Sequence, residues 1–94
     1  MIYKLSKEAE YDLINIHHFG VFRFGEKQAD KYYDAFFEQF EVIYENPYMF
    51  PEVNHLRKGY RRCVCGVDSI YYRINNNVIE VITIIGSQNI NIRL

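Results

Sequence analysis

The chain has 94 residues, 49% of them hydrophobic and 17% aromatic, with a formal net charge of −1; that is room for a single domain, residues 1–94, able to bury a real core despite its surface-to-volume ratio. No run of about 18 apolar residues could cross a bilayer and no charged-then-apolar leader opens the chain, so a soluble, cytoplasmic protein with no membrane partner is expected. Two cysteines one residue apart exclude the framework of bridges that holds small secreted domains together.

"IYKLS" alternates briefly and ends at Ser6, a good N-cap, before "KEAEYDLINIHHFGVFRF", which predicts a short strand feeding a helix. Ala9, Leu13, Ile16 and Gly20 recur at helical spacing and define an inner stripe. Tyr11, Ile14, His18 and Phe22 form a second apolar stripe, roughly 180° away at about 100° per residue. A helix with two apolar faces needs two things to pack against. Gly25 fits a helix C-terminus, after which "EKQADKYYDAFFEQFEVIYEN" predicts a second helix with Ala29, Tyr32, Phe36, Phe40 and Ile43 inward. Asn46-Pro47 should end it, because proline cannot continue the ladder and the residue before it avoids the helical region. The two helices then form an antiparallel hairpin.

"PYMFPEVNHLRKG" reads as irregular. From Tyr60 the period changes to two: "YRRCVCGV", "SIYYRI" and "VIEVITII" are rich in β-branched and aromatic residues and are separated by Gly66–Ser69 and Asn75-Asn76-Asn77, the pattern of a three-stranded antiparallel meander. The fold class is therefore α+β, in the order β-α-α-β-β-β, with an antiparallel meander sheet covered by a helical hairpin.

Charge is unevenly placed. Val53 to Val67 holds four cations, Arg57, Lys58, Arg61 and Arg62, and no acid, while Glu26 to Glu45 holds six acids against two lysines. An anionic partner would approach the first segment and a basic one the second. Cys63 and Cys65 invite a metal, but a strand lacks the turn that makes thiols converge, so they read as small buried hydrophobes, with neither metal nor cofactor. His17 and His18 read as boundary residues of the first helix and the acids of the second as a solvated side. The basic run, flanked by Tyr60 and Arg73, fits a nucleic acid or an acidic protein surface. The candidate target-binding surface is thus Arg57, Lys58, Tyr60, Arg61, Arg62 and Arg73. Charge reversal at Arg61 or Arg62 should weaken binding with little loss of stability, and as strand neighbours the two should face opposite sides.

Six segments, "LSKEAEYDL", "FGEKQADKYYDAF", "ENPYMFPEV", "LRKGYRRCVCG", "SIYYRI" and "IEVITIIGSQN", in that order, resemble the ParE branch of the RelE/ParE toxin superfamily of bacterial type II toxin–antitoxin systems. The resemblance implies the same β-α-α-β-β-β architecture and a non-enzymatic toxin, without a cofactor, that blocks replication by acting on DNA gyrase. It implies as partner a ParD-like antitoxin whose C-terminal segment wraps the toxin, with DNA contacted only indirectly, through that antitoxin. The exposed stripe Tyr11, Ile14, His18 and Phe22 would then be the antitoxin-binding face. The alternatives are a RelE-like, ribosome-dependent mRNA endonuclease and a non-toxic protein-binding domain. Against the nuclease, Ser69 stands where that branch typically carries an arginine, and "GSQNINIRL" offers no tyrosine and no cation before Arg93. "IIGSQN" resembles an ending common in ParE relatives, with Asn89 in place of the usual acid.

Overall fold

The computed structural model of the protein describes residues 2–86. Its elements are β1 (Ile2–Leu5), α1 (Lys7–Phe24), α2 (Glu26–Glu45), β2 (Arg61–Cys65), β3 (Asp68–Asn75) and β4 (Val78–Gly86). Local chemistry sets most of the boundaries. Ser6 caps α1, its Oγ accepting from the Ala9 N–H at 2.9 Å and donating to the Ile82 carbonyl at 2.6 Å, so the same hydroxyl starts the helix and ties it to β4. Gly25, at φ 93°, lets the chain leave α1 and enter α2 within a single residue. Asn46 ends α2 immediately before Pro47. Asn76 and Asn77, with φ of 50° and 67°, close the β3–β4 hairpin in the doubly positive conformation that matches strand twist.

The four strands lie in the order β1-β4-β3-β2. The meander β2-β3-β4 is antiparallel as the period predicts, but β1 pairs parallel to β4, Ile2 opposite Val78 through Leu5 opposite Val81. The sheet as a whole is therefore mixed, a correction to the antiparallel expectation. Strand β1 stops at Leu5, which leaves the outer edge of β4 beyond Val81 without a strand partner among the described residues. Asp12, buried on α1, covers that edge: its Oδ2 accepts from the Ile84 N–H at 3.0 Å and from Thr83 Oγ1 at 2.9 Å. A buried carboxylate with these donors answers the polar groups a missing strand would otherwise have paired.

The hairpin covers one face of the sheet. Ala9 and Leu13 of α1 and Phe36, Phe40 and Ile43 of α2 meet Cys63, Cys65, Ile70, Tyr72, Ile79, Val81 and Ile84 in one core. Both cysteines are buried free thiols, and burial pushes that of Cys63 up to about 11. Strand alternation sends Tyr71 the other way, and there residues 53–60 form a smaller second layer, with Val53, Leu56 and Tyr60 packed on Tyr71 and Ile85. The segment that reads as irregular between its two prolines is in fact pinned to the sheet: the Tyr72 hydroxyl donates to the Pro47 carbonyl at 2.7 Å, the Arg62 N–H to the Pro51 carbonyl at 3.1 Å and the Val53 N–H to the Tyr60 carbonyl at 2.8 Å.

Candidate functional site

Register decides which cations share a surface. In β2 the residues Cys63 and Cys65 face the hairpin, so Arg61 lies on their side and Arg62 on the other, the opposite facing expected of strand neighbours. Arg62 joins Arg73 on the hairpin-free face, because Ile70 and Tyr72 of β3 point to the core and Tyr71 and Arg73 away from it. Arg73 stands opposite Glu80 of β4, and Glu80 stands opposite Lys4 of β1. The Arg73 Nε to Glu80 Oε1 distance is 2.6 Å and Lys4 Nζ lies 3.9 Å from Oε2. The Arg73 hydrogen bond holds the Glu80 carboxyl below its ordinary range. One acid is thus shared between two cations, and the surface stays positive around it.

Lys4 was not visible as a member of this surface from local sequence. Its alternation with Tyr3 and Leu5 fixes its face, but only the parallel pairing of β1 with β4 carries it to Glu80. Arg57 and Lys58, both exposed, extend the cationic surface onto the segment 53–60, with the Arg57 guanidinium carbon 6.0 Å from the centre of the Tyr60 ring. Tyr60 itself is half-buried in the small second core.

Arg61 behaves differently. Its Nη1 donates to the Phe50 carbonyl at 2.7 Å and the Tyr48 carbonyl at 3.2 Å, its Nη2 to Glu52 Oε1 at 3.0 Å, and its guanidinium carbon lies 5.3 Å from the centre of the Tyr48 ring. The side chain is only 16% exposed. It holds the segment 48–52 in place, so the expectation that its charge could be reversed at little cost to stability is corrected. The acid-free window of the sequence ends one residue short of the partner, Glu52. Arg62 also has an internal partner, donating from Nε to the buried Ser69 Oγ at 2.9 Å. Ser69, the position where a nuclease-branch arginine would stand, is therefore occupied inside the fold.

The second stripe of α1 lies where the sequence puts it. Tyr11, Ile14, His18 and Phe22 are all exposed, Phe22 at 93%. Phe19, Phe24 and Val67 are exposed as well. Sequence reading missed these three, since Phe19 falls between the two stripes; the signal was "FGVFRF", more aromatic surface than one helix end can bury. His17 is held at the hairpin, its Nε2 2.7 Å from Asp30 Oδ1 and its ring against Tyr33. Among the described residues no group of three or more His, Cys, Asp or Glu side chains is arranged to hold a metal ion, and no helix is long and apolar enough to cross a membrane. The expected contributions of Asn89 and Arg93 lie outside the described residues.

Residues 3–91 match the family described as the ParE toxin of type II toxin–antitoxin system, parDE. The sequence is 36% identical over 91 residues to Toxin ParE1 of Caulobacter vibrioides, an alignment spanning 97% of this chain and 93% of that one. The fold superposes on a chain of the chromosomal ParDE toxin–antitoxin system from P. aeruginosa with a TM-score of 0.82, covering 92% of this chain and 95% of the other at 20% identity. At that identity the likeness speaks for the fold.

Proposed function

The chain belongs to the ParE toxin family of type II toxin–antitoxin systems, and on that premise we propose that it arrests replication by binding DNA gyrase, without cutting a nucleic acid, and is neutralised by a ParD-like antitoxin. The observation that carries the binding reading is the state of the sheet cations. Arg61, Arg62 and Arg73 are each held by a partner within the chain. Cleavage of a phosphodiester without a metal needs a positioned base and a cation aimed at the developing negative charge, whereas a binding surface needs only a fixed pattern of charge. Lys4, Arg57, Lys58, Arg62 and Arg73 supply such a pattern over a rigid sheet. The target surface is accordingly acidic. DNA is reached only through the antitoxin, and the exposed stripe Tyr11, Ile14, His18 and Phe22 contributes to the antitoxin contact.

The test is expression of the chain in cells without an antitoxin. Growth should stop with filamentation and induction of the DNA-damage response while bulk translation continues. Immediate arrest of translation with cleavage of ribosome-bound mRNA would establish the nuclease alternative instead.

A further inference from the structure

Arg62 and Arg73 are held in the same way. Arg62 donates from Nε to Ser69 Oγ at 2.9 Å, and Arg73 donates from Nε to Glu80 Oε1 at 2.6 Å. Each bond takes the inner nitrogen of the guanidinium. The paired outer nitrogens, Nη1 and Nη2, have no hydrogen-bond partner among the described residues on either arginine. Arg61 is the contrast, with Nη1 and Nη2 both engaged by the segment 48–52. A guanidinium is planar, so an anchor at Nε fixes the direction in which the Nη pair points.

Register brings the two forks together. Arg62 stands opposite Tyr71 in the β2–β3 ladder, and Arg73 lies two residues beyond Tyr71 on the same, hairpin-free face. The two arginines are therefore diagonal neighbours, about 7–8 Å apart at the backbone and within reach of one ligand surface. The side chain of Arg73 is 47% exposed and that of Glu80 only 18%, so the acid lies beneath the cation that it orients.

We propose that Arg62 and Arg73 form a twin-fork site for carboxylates, each taking one acidic side chain of the gyrase surface through Nη1 and Nη2, with Ser69 and Glu80 as the positioning residues. The inference rests on the gyrase reading above and adds direction to a face for which that reading asks only a pattern of charge. The two-donor edge of a guanidinium matches a carboxylate in plane and spacing, as a lysine ammonium does not. Anchoring both forks before contact lowers the ordering cost of binding. Glu80 selects discrete carboxylates over a nucleic-acid backbone. A phosphate chain carries charge along its whole length and would lie over Glu80 as well as over the arginines, whereas two separate acids leave that point uncovered.

Titration calorimetry of the full-length toxin with purified DNA gyrase, free of DNA, tests it, with a thermal melt of every variant. Arg62→Lys and Arg73→Lys keep the charge but replace a two-pronged contact by a single one. Each should weaken binding by about tenfold and leave its salt dependence unchanged. For Glu80→Val, charge and geometry predict opposite signs. It removes an acid from a basic face, so a surface acting by charge alone would bind more tightly; with the anchor of Arg73 lost, the fork site should bind several-fold more weakly. Glu80→Gln keeps an acceptor for Nε and should bind close to wild type. Wild-type affinity in both lysine variants, or tighter binding by a folded Glu80→Val, overturns the fork assignment and leaves the gyrase reading standing. Failure of the wild-type toxin to bind gyrase, with or without DNA, overturns both. Binding that the lysine variants weaken only when DNA is added would give the forks to phosphates, which also overturns the proposal.

Discussion

Replacing Arg61 by alanine should unfold the protein at a distinctly lower temperature, even though the side chain belongs to the basic run that sequence marks as a binding surface. Three bonds are lost, to the Phe50 carbonyl at 2.7 Å, the Tyr48 carbonyl at 3.2 Å and Glu52 at 3.0 Å. Hydrogen bonds to a charged group contribute about 1.5–3 kcal/mol each, but the two carbonyls share one nitrogen and count as little more than a single bond. Glu52 is 48% exposed, so solvent screening reduces that arm to at most about 0.5 kcal/mol. A loss of about 2–3 kcal/mol remains. For a domain of this size each kcal/mol is worth about 4–8 °C in Tm, so the shift should be about 10–20 °C. Arg61→Lys keeps the charge but not the planar fork and should lose about half as much. Thermal melts followed by circular dichroism measure both. A Tm for Arg61→Ala within about 3 °C of wild type would refute the tether. Arg62→Glu, which reverses a charge on the hairpin-free face, should relieve growth arrest; its cost in stability is that of the single bond from its guanidinium to the buried Ser69 hydroxyl, about 1.5–3 kcal/mol.

Ile14→Asp should leave the Tm of the isolated toxin within a few degrees of wild type, because the side chain is exposed, while weakening the antitoxin complex in calorimetry; unfolding would show that the stripe is core after all. Asp12→Ala should destabilise by about 1–3 kcal/mol in urea titrations, since it strips the acceptor from the Ile84 N–H at the uncovered edge of β4. A cost below about 0.5 kcal/mol would mean that water replaces the carboxylate there. Alkaline pH should destabilise the fold. Burial, then the charge of Cys65, pushes the Cys63 thiol from 9.0 up to about 11, and burial pushes the Tyr72 hydroxyl from 10.0 up to about 12. Both values are raised, so folding favours the protonated forms; their contribution is complete below pH 9 and is lost as pH rises through the folded values. Urea midpoints should therefore fall between pH 9 and 11, and a midpoint that rises there would contradict the burial of these groups.

Much of the fold was legible because its punctuation is local. Ser6, Gly25, Asn46-Pro47 and the Asn75–Asn77 run each act on their immediate neighbours, and the structure places element ends at all of them. The inner stripe of α2 followed from periodicity, because burial against a sheet imposes it. What sequence did not show are contacts made across the chain. The parallel seat of β1 beside β4 joins the two ends of the described fold, and a four-residue alternating strand reads the same in either direction. Asp12 sits near the inner stripe as a polar exception, explained only once β1 is seen to stop short of Ile84. The basic run was visible as composition, yet its members have different duties: Arg61 turns inward to Glu52, Arg62 rests on Ser69, and Lys4 joins from the far end of the sequence.

The measurement that most directly tests the central claim is supercoiling of relaxed plasmid by purified DNA gyrase in the presence of purified toxin, run beside a translation extract programmed with a defined mRNA. The account predicts that supercoiling falls as toxin is added, that equimolar antitoxin restores it, that Arg62→Glu blunts the inhibition, and that the mRNA stays intact. Unimpaired supercoiling together with mRNA cut on the ribosome would contradict it.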